Sequence, residues 1–209
     1  MSIERKKEPV EGELNRNRLS IGTKSVLFGA HCFFIHPWFV AWAWWRLYGF
    51  PFDPRLWVAF FVHDLGYWGM PDMDGEEGEC HPYFGARLMR WLFDKSRISM
   101  SAPDGQSWFN FTLYHSRFLA KKHAARYSKL CVADKLAIVL TWSWLYIPMV
   151  CATGEIHEYR SQAELMNPGS GAKYATSHWQ WHAKVKDYVR RWVDEHKEGR
   201  PDEWTKERT

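Results

Sequence analysis

The sequence predicts an all-α fold: one helical bundle with a C-terminal helical extension. Apolar residues recur at helical spacing along most of the chain, and no strand-type alternation persists anywhere. With 209 residues, 46% of them hydrophobic and 25% charged, the chain is long enough for one well-packed core and too short for two ordinary domains.

The elements follow in order. Residues 1–22 are polar, with Lys6, Lys7, Arg16 and Arg18 and no apolar period, and read as an arm. From Lys24 comes a short helix, then a second starting where Pro37 suits a first helical position, running to Leu47 and stopped by Gly49. Gly-Phe-Pro-Phe-Asp-Pro (49–54) is a turn, Arg55 to Leu65 a buried helix ending at Gly66, and Trp68 to Cys80 a loop. Another helix follows Pro82, and residues 105–118 and 128–147 read as one helix each, Ser128 capping the second. After Gly154 come a polar helix (155–166), a Pro-Gly-Ser-Gly turn (168–171) and an amphipathic helix carrying Trp181, Val185, Tyr188, Val189 and Trp192. The divisions are therefore an arm (1–22), a core domain (23–153) and a helical extension packed on it (154–209).

Other classes are excluded by composition and length. The apolar stretches Val26–Trp45 and Leu136–Ala152 carry His, Pro or Ser and sit at or under the length of a membrane span, so no span is expected. Cys32, Cys80, Cys131 and Cys151 are far apart, and no leader pattern opens the chain, which predicts a cytoplasmic protein with reduced, buried thiols. The net charge of +4 suits a small phosphorylated substrate, and stable nucleic-acid binding is not expected. A homodimer stays open.

The unusual entries are 14 Trp, 13 Phe, 9 Tyr and 10 His. The aromatic rings read as a shell that keeps a site dry, and the histidines ask for chemistry. His63 and Asp64 end the apolar run Val-Ala-Phe-Phe-Val-His-Asp-Leu-Gly (58–66), and Asp134 lies in Val-Ala-Asp-Lys-Leu (132–136). An unpaired carboxylate is costly to bury in such helices, and a cation is the obvious partner. His81 follows the loop, His115 sits in Leu-Tyr-His-Ser-Arg (113–117), and His36 stands upstream in His-Pro-Trp-Phe-Val (36–40). Imidazoles and carboxylates converging from several helices are what a divalent transition metal requires.

This order of His, His-Asp, His, His and Asp resembles the HD-domain superfamily of metal-dependent phosphohydrolases, over roughly residues 24 to 150. His36 with Val40, His63-Asp64 and Asp134 match the general pattern. His81 and His115 resemble the members that hold two metals, such as dinucleoside tetraphosphate hydrolases and HD-GYP cyclic dinucleotide phosphodiesterases. The resemblance implies one metal on His36, His63, Asp64 and Asp134 and another on Asp64, His81 and His115. Asp64 would bridge them and orient a bridging hydroxide. Fe or Mn is implied first, with Zn, Ni, Co or Mg also compatible. His31 competes with His36 as first ligand or acts as a donor behind it.

Hydrolysis of a phosphate ester or phosphoanhydride, of a nucleotide or another small phosphorylated metabolite, is the implied activity. Arg117 and Lys135 are placed to hold phosphate oxygens, with His31 and Tyr67 also facing substrate. Lys121, Lys122, Arg126 and Lys129 read as a solvated face, and His157 and Arg160 as residues that close over the pocket. Two departures matter: Tyr67 follows Gly66 where many members carry Lys, and residues 70–79 place Asp72, Asp74, Glu76, Glu77 and Glu79 before His81. They leave room for a di-iron oxygenase resembling myo-inositol oxygenase, cleaving a C–C or C–P bond with O₂, and for a non-catalytic nucleotide-binding module.

Overall fold

The computed structural model describes residues 19–75, 77–94 and 101–198. Most of the polar arm and the tail from Gly199 lie outside these residues. Among the described residues every regular element is helical, in accord with the expected all-α class. The α-helices are α1 (Ile21–Phe28), α2 (His36–Tyr48), α3 (Pro54–Val62), α4 (Pro82–Met89), α5 (Trp108–Leu113), α6 (Arg117–Lys122), α7 (Lys129–Leu140), α8 (Ser143–Thr153), α9 (Glu155–Ser161), α10 (Ala163–Met166) and α11 (His178–His196). A π-helical turn, Arg90–Asp94, prolongs α4.

Local chemistry sets the helix starts. Ser20, Asp53, Ser107, Ser116, Ser128 and Ser177 each cap a helix by accepting a backbone N–H from the first turn. Ser20 brings α1 in at Ile21, earlier than the apolar pattern suggested. Three helices expected to be continuous are broken. The 105–118 segment divides at His115 because Ser116 turns extended and caps α6. The 128–147 segment divides at Thr141, where the chain bends by 101°. There the Lys186 ammonium donates to the Thr141 carbonyl at 2.6 Å. The 155–166 segment divides at Gln162.

Helix α7 is the axis of the molecule. Leu130, Ala133 and Ala137 pack with Val40, Trp44, Phe60 and Phe111 in one core cluster. Cys131, Val132 and Val139 pack with Val150, Val185, Val189 and Trp192 in the other. A helix apolar on nearly every side belongs between two layers, and this one is sandwiched between α2 and α11.

Two glycines let backbones cross near the future site. A Cβ on Gly66 would lie 1.9 Å from the His81 carbonyl oxygen, and one on Gly85 would lie 2.5 Å from that of Val62. The segment after α3 and the start of α4 can touch only because neither residue has a side chain.

The C-terminal third is tied in by a buried acid. Glu155 opens α9 and is completely buried. Its carboxylate accepts from Ser25 Oγ at 2.5 Å, Ala30 N at 3.1 Å, Thr153 Oγ1 at 2.6 Å and Tyr159 Oη at 2.9 Å. Burial opposes its charge, but His31, Ser25 and Thr153 hold its pKa below the ordinary value.

Two expectations need correction. The aromatic shell is divided: Trp44, Trp108, Trp181 and Trp192 are buried, whereas Trp38, Trp45, Trp142 and Trp144 are exposed along α2 and the start of α8. Among the thiols Cys32 and Cys131 are buried, but Cys80 and Cys151 are exposed and none is in a disulfide. No single helix among the described residues is long and apolar enough to cross a membrane.

His182 gives a pH test of this packing. It is fully buried, stacks on Tyr146 at 4.4 Å and has no partner for Nε2. Burial, with Lys186 adding to it, lowers its pKa from 6.5 to about 3. Between those values the unfolded chain holds the proton and the native state does not, so stability falls as pH drops from about 6.5 toward 3, by up to about 1.4 kcal/mol per pH unit. Urea unfolding of wild type and His182→Phe at pH 7 and pH 5 should show a smaller acid loss in the variant. Equal losses would overturn this assignment.

Candidate metal centre

Six side chains meet at one point, each delivered by a helix end or by α7. His36 opens α2, His63 and Asp64 follow α3, His81 precedes α4, His115 occupies the break between α5 and α6, and Asp134 projects from the middle of α7. All are buried. They form two groups with Asp64 in both: His36, His63, Asp64 and Asp134, and Asp64, His81 and His115, the ligand atoms within each lying within 4.8 Å of one another. These groups could hold metal ions.

Asp64 divides its two oxygens between the groups. Oδ2 lies 3.3 Å from His36 Nε2 and 3.0 Å from His63 Nε2. Oδ1 lies 3.5 Å from His81 Nε2 and 3.2 Å from His115 Nε2. Asp134 Oδ1 completes the first group, 3.0 Å from His36 Nε2 and 3.7 Å from His63 Nε2.

The imidazole orientations are fixed from behind. Nδ1 of His63 donates to the Phe60 carbonyl at 2.9 Å, that of His81 to Gly78 at 2.6 Å and that of His115 to Thr112 at 2.6 Å. A carbonyl can only accept, so each Nδ1 carries a proton and each ring, once neutral, turns its Nε2 lone pair inward. The Nε2 atoms of His81 and His115 then face each other at 3.2 Å. Two lone pairs at that distance repel unless a proton or a cation lies between them. His63 Nε2 and Asp64 Oδ2 are likewise buried and, although 3.0 Å apart, are not aligned as a hydrogen bond, a costly state that a coordinated cation would relieve. The donor set fits such an ion.

The charge balance differs between the groups. Burial pulls the His63 imidazole down, but Asp64 and Asp134 outweigh it and lift it to about 10. His36 is raised in the same way, against its own burial, by Asp134 and Asp64. Burial dominates at His81, lowered to about 4, and at His115. Burial also opposes both carboxylates. His63 and its neighbours nevertheless hold Asp64 well below the ordinary range, and Lys135 with His36 does the same for Asp134. The first group would thus have to release protons to take up a cation, while the second already presents neutral imidazoles.

The centre opens into a cavity of about 790 Å³. Lys135 lines it and donates to Asp134 Oδ2 at 2.8 Å. Tyr67 lines it too and stacks on His81 with centroids 3.7 Å apart. Arg117 also reaches it, with one nitrogen donating to the Met166 carbonyl at 2.8 Å and the guanidinium over Trp192. His31 borders the cavity but is in neither ligand group: its Nδ1 is hydrogen-bonded to Ser25 Oγ at 2.9 Å, with Glu155 Oε1 3.8 Å away. Of the two competing histidines, His36 is the one placed in the cluster.

Other expectations fare differently. His157 and Arg160 are not on the cavity wall; Arg160 is turned to the Ala175 carbonyl at 2.5 Å. Closure comes instead from Tyr159, the chain after α10 and α11. Lys122 and Lys129 lie over Phe118 and Tyr48, and Arg126 bonds the Asp104 carbonyl, so these three stay on the surface, while Lys121 borders the cavity. The acidic loop is more than a solvated turn. Asp72 accepts from the N–H groups of Gly75 and Gly78, each at 3.0 Å, which closes the loop and sets Asp74 and Glu79 on the cavity wall. Burial, then the charge of Glu158, raises Asp74 to about 6, and burial, then the charge of Asp74, raises Glu79 to about 7.

Sequence reasoning missed the wall formed by Tyr146, Tyr159 and Trp181. Only the apolar stripe on α11 hinted at it, and a stripe does not say what it faces. The chain matches no protein-family model, no curated protein and no solved structure.

The shared carboxylate predicts an unequal response to mutation. Metal analysis of the chain purified with Mn²⁺ or Fe²⁺ should give about two equivalents, His81→Ala about one, and Asp64→Ala clearly less than one. A His81→Ala protein that loses no metal would show that the second group is not a site.

Proposed function

We propose that the chain is a metal-dependent phosphohydrolase of the HD type, acting on a phosphate ester or phosphoanhydride of a small metabolite. The observation that carries this reading is the Asp64 carboxylate shared by two ligand groups at the wall of a cavity that Lys135 and Arg117 also line. Bound there, two divalent ions would acidify water and neutralise charge on a phosphoryl group. The protein's part is to hold and orient. Asp64 and Asp134 bring two negative charges, and Lys135 offsets one. A pair of dications therefore leaves the site positive and suited to an oxyanion.

The remaining roles follow from position. Lys135, pinned by Asp134, presents its other N–H donors at the cavity wall. Tyr67 covers one face of His81 where a lysine would have brought a fixed charge. Tyr146, Tyr159 and Trp181 exclude bulk water, which strengthens each electrostatic contact inside.

The test is phosphate release from a panel of phosphomonoesters and nucleotides by Mn²⁺- or Fe²⁺-loaded protein under strictly anaerobic conditions. Turnover without O₂ is expected, and His63→Ala should lower it by about 100-fold or more. A strict requirement for O₂, or equal turnover by His63→Ala, would overturn the reading.

A further inference from the structure

The walls of the cavity are not those of a phosphate site alone. Asp134, Lys135 and Ile138 are successive cavity-lining residues of α7, and Ile138 stands one turn beyond Asp134 on the same face. From there the lining continues through Tyr146 on α8 and along α11 through Trp181, Val185, Val189 and Trp192. These α11 positions recur at intervals of three or four, so one face of the helix supplies the wall. Each of the four is at least nine-tenths buried and belongs to a core cluster, yet together they border open space.

Protein interiors are packed to the density of organic crystals, so a space of about 790 Å³ against core side chains is a binding chamber and not a packing fault. Trp181 adds a polar detail: its indole N–H is buried without a hydrogen-bond partner. Asp74 and Glu79 also lie on the wall, near the cluster end of the lining that Tyr67 and His81 share.

We propose that the ligand of this site is an amphiphile: one oxyanion head at the histidine–aspartate cluster beside Lys135, joined to an extended apolar body lying along α11. An acceptor oxygen in that body, of ester, ether or carbonyl type, satisfies the Trp181 N–H. The head position rests on the reading of the preceding section; the body does not.

The test measures binding to the full, Mn²⁺-loaded chain by calorimetry, with inorganic phosphate, butyl phosphate, octyl phosphate and octanol as probes below their micelle-forming concentrations. From butyl to octyl phosphate the affinity should rise by up to about fourfold per added CH₂. Val185→Trp, which fills the chamber, should flatten that rise and leave inorganic phosphate binding unchanged. Val189→Phe serves the same purpose should the first variant fail to fold, as checked by near-ultraviolet circular dichroism. Equal affinity for phosphate and octyl phosphate overturns the inference and leaves the phosphohydrolase reading standing. Chain-dependent binding shared by octanol, with no binding of phosphate, upholds the apolar subsite and overturns the phosphohydrolase reading.

Discussion

The buried carboxylate of Asp64 is the constraint around which the structure is organised. A charge taken from water into a protein interior must be compensated on the spot, and here the compensation is divided, each oxygen facing a different pair of imidazoles. The glycines at 66 and 85 bring the two backbones close enough for that division. The carbonyls of Phe60, Gly78 and Thr112 then fix which nitrogen each ring presents. Little of this polar core is held by surface salt bridges, whose contribution is small and screened.

Helix α7 makes a polar centre compatible with an apolar interior. Its alanines let α2 approach closely on one side, while Cys131, Val132 and Val139 meet the α8 and α11 layer on the other. Asp134 is carried between these layers with Lys135 as its immediate counter-charge. The same helix thus contributes to both core clusters and to the site. A shift of α7 would be felt at all three places together.

The legible part of the sequence was the part that violates a local rule. His63-Asp64 and Asp134 interrupt apolar helices, and a buried charge demands a reason, so the cluster could be read before any contact was known. His36, His81 and His115 joined it through a resemblance, and the geometry brings all of them together. The choice between His31 and His36 depended on which ring a distant glutamate engages, and no local pattern encodes that Glu155 lies beside residue 31. The breaks at His115 and Thr141 were hidden for a related reason. Serine and threonine suit helix interiors poorly and caps well, but whether Ser116 ends a helix depends on tertiary partners. Arg160 and His157 were assigned by residue type alone, and neither lines the cavity, whose wall on that side comes from Tyr159 and α11.

Glu155 bears on the order in which the chain can be completed. Its donors come from Ser25 and Ala30 at one end and from Thr153 and Tyr159 at the other. On the ribosome the first two must wait, hydrated, until some 125 further residues have been made. Since α11 is later still, the six side chains of the histidine–aspartate cluster are all synthesised before the wall that shelters them. The chamber is therefore complete only once the last long helix has docked.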